Sequence, residues 1–117
     1  RTGMKTKEQI QARVNDVLQS MVIAKYSPNT MSRLKKELSS YRELMDYIAL
    51  EPNEDFILKQ IELLKINVDK CEQKIKDETA SNKYGVISKE RIQQIKDEFG
   101  YSASVRKLKY LTYLMTD

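Results

Sequence analysis

A heptad pattern runs from Met31 to Ile48, meets Glu51-Pro52-Asn53, and starts again at Ile57. Met31, Leu34, Leu38, Tyr41, Met45 and Ile48 are spaced 3-4-3-4-3; Ile57, Ile61, Leu64, Val68, Cys71 and Ile75 are spaced 4-3-4-3-4. A repeat averaging 3.5 residues keeps each set on one side of an α-helix. Two such helices joined by a tight corner predict an antiparallel hairpin over about 31–50 and 53–80. A corner near Glu51 joins positions whose numbers sum to about 102, pairing Met45 with Ile57, Tyr41 with Ile61, Leu38 with Leu64, Leu34 with Val68 and Met31 with Cys71.

Ile75 falls beyond that pairing, and the second helix is too apolar for one seam. Of the 13 residues from Phe56 to Val68, 8 are hydrophobic, and Leu58, Leu63 and Ile66 lie off the heptad line. A second neighbour is therefore required, which favours a bundle over an isolated coiled coil.

The flanks supply the remaining helices. Thr6-Lys7-Glu8-Gln9 has the form of a capping box, followed by a stripe of Ile10, Val14, Val17, Leu18 and Met21. Ser27-Pro28-Asn29 is expected to stop this helix, with Asn29 or Thr30 capping the next. Pro52 suits the first turn of the helix that follows, with Glu54 and Asp55 at its positive end. Residues 79–88 read as a loop, Ser88 as a cap with Ile87 and Ile92 as a staple, and Gly100 as a C-terminal cap. Ser102 is expected to cap a last helix whose Val105, Leu108, Leu111 and Met115 face inward. With only 3 Gly and 2 Pro in 117 residues, the chain reads as a single all-α domain, a bundle of four to five helices. Arg1-Thr2-Gly3 reads as an added leader, with Met4 the natural start.

Exclusions narrow the chemistry. The chain has no histidine, one cysteine and three scattered glycines. Histidine-dependent triads, cysteine-based zinc clusters and glycine-rich phosphate loops are thereby removed. The acidic residues stand mostly beside Lys or Arg at helix-surface spacing, as a solvated helix face requires. No catalytic residue, cofactor or metal is expected. The lone Cys71 lies on the hydrophobic stripe and reads as a buried thiol in a reducing, cytoplasmic protein. The longest apolar run, Met21-Val22-Ile23-Ala24, is far short of the roughly 20 residues of a membrane span, and no membrane partner is expected.

Charge is unevenly placed within a net +4. Residues 1–27 carry five Lys/Arg against two Asp/Glu, residues 52–80 five against seven, and residues 81–117 seven against four. The segment 88–115 resembles a helix-turn-helix, with Gly100-Tyr101-Ser102 as its turn. Ser102 and Ser104 would hold phosphates, while Arg106, Lys107 and Lys109 would contact bases and backbone. Lys96, however, stands where such motifs have a small residue at the helix crossing, and short helical pairs with a glycine corner also serve plain packing. The leading expectation is a non-catalytic interaction module, an adaptor or regulator binding a partner protein through Leu58, Leu63 and Ile66. A homodimer through the same face is the related expectation, and a small DNA- or RNA-binding regulator is the alternative.

Overall fold

The computed structural model describes residues 3–50 and 54–116. Five α-helices and no strand occur among them: α1 (Lys7–Ile23), α2 (Pro28–Leu50), α3 (Glu54–Ser81), α4 (Lys89–Phe99) and α5 (Tyr101–Met115). The all-α fold expected from the periodicity is present. The hairpin corner Glu51-Pro52-Asn53, and Arg1-Thr2 of the expected leader, lie outside the described residues.

The fold divides into two compact units, residues 1–57 with 110–117 and residues 58–109. In the first, α1 packs on α2. Ile10, Val14 and Val17 of α1 are buried, as are Leu34, Leu38, Tyr41 and Leu44 of α2. The capping box forms as expected: the Gln9 N–H donates to Thr6 Oγ1 at 3.2 Å and the Thr6 N–H to Gln9 Oε1 at 2.7 Å. Tyr41 makes edge-on contacts with the rings of Tyr110 and Tyr113, whose centres lie 5.2 and 5.5 Å away. The ammonium of Lys5 donates to the terminal carbonyls of Tyr113 and Thr116, acting as a cationic cap on α5.

Three local expectations are corrected. Pro28 opens α2 instead of ending α1, and the Met31 N–H donates to the Ser27 carbonyl at 2.8 Å. Proline costs nothing at a first helical position, where its missing N–H would have had no partner. α1 has already ended, with Ala24 as its cap. At the other end of the chain, α5 begins at Tyr101, so Ser102 lies within its first turn and does not cap it. Gly100 takes both roles: it closes α4 in the left-handed conformation (φ 61°), and its carbonyl accepts from the Ser104 N–H at 3.0 Å. The inward face of α5 is also rotated from the expected one. Leu111 and Leu114 are buried, whereas Val105 is exposed, as is Leu18 on α1.

Candidate functional site

All the residues singled out for partners fall in the unit of residues 58–109. One side of α3 is committed to α4 and α5. Asn67 Nδ2 donates to the Phe99 carbonyl at 2.9 Å and to Ser104 Oγ at 3.1 Å. Arg91 grips Glu78 with two hydrogen bonds of 2.8 and 2.7 Å, which hold the Glu78 carboxyl below its ordinary range. Lys74 lies 3.3 Å from Glu98, and the Tyr101 hydroxyl donates to Glu72 at 2.8 Å. That bond, with burial, raises the Tyr101 phenol above its usual value. Cys71 is fully buried on the same side, and burial pushes its thiol up.

Beside that side, one edge of α3 is uncovered. Leu58, Leu63 and Ile66 are 47, 50 and 43% exposed. At about 100° and 1.5 Å per residue, Leu63 and Ile66 sit some 60° and 4.5 Å apart and form one patch. Leu58 lies about 80° around from Ile66 and roughly 12 Å along the axis, so it does not join them. Lys59 and Lys70, both exposed, bracket the pair one turn away on either side of the same stripe.

The residues suggested for nucleic acid are not used alike. Ser104 is half-buried, and its hydroxyl receives the Asn67 amide. Ser102, Arg106, Lys107 and Lys109 are exposed. The junction before them is the single residue Gly100, shorter than the three- to four-residue turn of a helix-turn-helix. Among the described residues, no three His, Cys, Asp or Glu side chains come together as a metal site would need.

Sequence reasoning missed Asn67 and the Glu78–Arg91 pair. Asn67 carried a signal: it is a polar residue three after Leu64 and four before Cys71, so helical spacing turns it inward. The ion pair joins residues 13 apart across a loop, and no local rule links them. None of the protein-family models, curated proteins or solved structures compared with this chain matches it.

Proposed function

We propose that this protein is a non-catalytic helical interaction module, an adaptor or regulator that docks a partner protein on the Leu63–Ile66 patch of α3. The observation that carries the reading is the exposure of this adjacent apolar pair on a helix whose neighbouring side is held to α4 and α5. Lys59 and Lys70 point to the partner's character. In an antiparallel pairing of two copies centred on the patch, Lys59 would face Lys70 of the other copy. In a parallel pairing, each lysine would face itself. Either arrangement sets like charges together beside an apolar contact, which disfavours a homodimer here. An amphipathic helix with apolar anchors and flanking carboxylates fits both features.

Light scattering should give a mass near 13.7 kDa for the isolated protein. A photoreactive side chain at position 63 should cross-link a second protein in the cells of origin, and one at Leu58 should not. A doubled mass that reverts on Leu63→Lys would replace the partner with a second copy.

The nucleic-acid reading is less favoured, because Ser104 is engaged internally and the α4–α5 junction is a single residue. Duplex DNA titrated between about 50 and 200 mM salt tests it directly. Micromolar binding that disappears in an Arg106→Ala, Lys107→Ala, Lys109→Ala variant would make it the better reading. The salt slope should then fall by about one unit for each phosphate that is no longer neutralised.

A further inference from the structure

The end of α1 and the turn after it project apolar side chains outward. Val22, Ile23 and Tyr26 are 70, 82 and 87% exposed within a five-residue stretch. Ile23 also borders a second depression beside Arg13, Asp16, Arg33 and Glu37, where two arginines balance two carboxylates, yet its side chain stays largely in water. Three side chains this exposed within five residues leave an apolar tip in water, as an interaction site does.

Next to it, the outer face of α2 carries Lys35 and Lys36. With Lys25, Ser32 and Ser39 they line an open depression of about 530 Å³ that contains no carboxylate. Lys25 belongs to both features. It lines the depression, and its ammonium lies 5.0 Å from the centre of the Tyr26 ring. Through Lys25 and Tyr26 the apolar tip adjoins the cationic depression within the first unit.

We propose that this corner rests on an anionic membrane surface, with Val22, Ile23 and Tyr26 entering the boundary between headgroups and acyl chains and Lys25, Lys35 and Lys36 facing the lipid anions. The two halves of the site match the two layers of such a surface. Aliphatic side chains gain by leaving water, tyrosine favours the interface itself, and lysines are drawn to the negative leaflet. A nucleic-acid backbone would satisfy the lysines and leave the apolar tip in water. A second copy meeting tip to tip would bring the two lysine sets together. Nor is a spanning helix needed: none of the described helices is long and apolar enough to cross a membrane, and a peripheral contact goes beyond the expectation that rested on the missing span. The inference is independent of the α3 patch.

Sedimentation with phosphatidylcholine vesicles, with and without about 30% phosphatidylserine, provides the test. Binding is expected only with phosphatidylserine, weakening as salt rises. Each lysine near the surface is worth about 1 kcal/mol, or about fivefold, so Lys35→Glu with Lys36→Glu should reduce binding by well over tenfold. Ile23→Ser with Tyr26→Ser should abolish it. All four positions are exposed, so the variants should keep the parent melting temperature, checked by circular dichroism. The chain has no tryptophan, so Tyr26→Trp installs a single reporter whose emission should shift to the blue on phosphatidylserine vesicles. No binding, an unshifted emission, or binding that survives the Ile23/Tyr26 change would overturn the proposal. So would tighter binding to single-stranded RNA that needs the lysines alone, or a dimer that dissociates on Ile23→Ser.

Discussion

The side-chain amide of Asn67 donates to the backbone carbonyl of Phe99 at 2.9 Å, tying the middle of α3 to the last residue of α4. Carbonyls in the last turn of a helix have no partner within it. Asn67 supplies one, and its second hydrogen bond, to Ser104, reaches the first turns of α5. One amide thus holds three helices of the second unit together. Asn67→Ala should lower stability by about 1–3 kcal/mol, because it leaves the Phe99 carbonyl unpaired in a part-buried place. Urea denaturation with an unchanged m-value is the measurement. A loss no greater than that of an ordinary surface substitution would show that water replaces the amide at little cost.

Gly100 separates α4 from α5 with φ at 61°, and an added Cβ would meet nothing within 4 Å. The cost of Gly100→Ala is therefore conformational rather than steric, about 1–2 kcal/mol for a left-handed alanine. Gly100→Asn should cost less, since asparagine tolerates this region better. Thermal melts of the two variants should rank in that order. Equal melting temperatures for all three proteins would mean that the junction readily adopts another backbone path.

The Glu78–Arg91 pair predicts a pH dependence. A carboxyl held below its usual value of 4.5 stabilises the fold above that value, and the contribution is lost as the pH falls through the depressed folded value. Glu78→Gln should consequently melt below the parent at pH 7 and approach it in acid. Both side chains are about a third exposed, so the difference should be small and should shrink in salt. A gap of the same size at pH 7 and in strong acid would assign the effect to packing.

Leu38 and Leu63 are both leucines on amphipathic helices, and they should respond oppositely to truncation. Leu38 is buried, so Leu38→Ala should cost about 2–5 kcal/mol. Leu63 is half-exposed, so Leu63→Ala should stay within about half a kilocalorie. Chemical denaturation of both variants separates a core position from a docking position. A large loss at Leu63 would remove it from the proposed partner surface.

Much of this protein was written locally. The heptads specified helices because an apolar stripe must be buried, and Leu34, Leu38, Tyr41, Ile57, Ile61 and Cys71 are buried accordingly. Thr6, Ser88 and Gly100 act at the helix ends where their chemistry places them. Pro28 and Ser102 were misread because a proline can mark either the end of one helix or the start of the next, and because two candidate caps stood two residues apart. Which apolar residues stay outside was not local information. Leu44 and Leu63 both stand off the heptad lines, yet Leu44 is buried and Leu63 exposed, and Leu114 replaces Val105 on the inner side of α5. A stripe says that one face is covered; its exact edge depends on the neighbour's position and width. The same holds for Asn67 with Phe99, Glu78 with Arg91, and the apolar tip at Val22, Ile23 and Tyr26. Each depends on where separate segments come to lie in space, which only the tertiary packing decides.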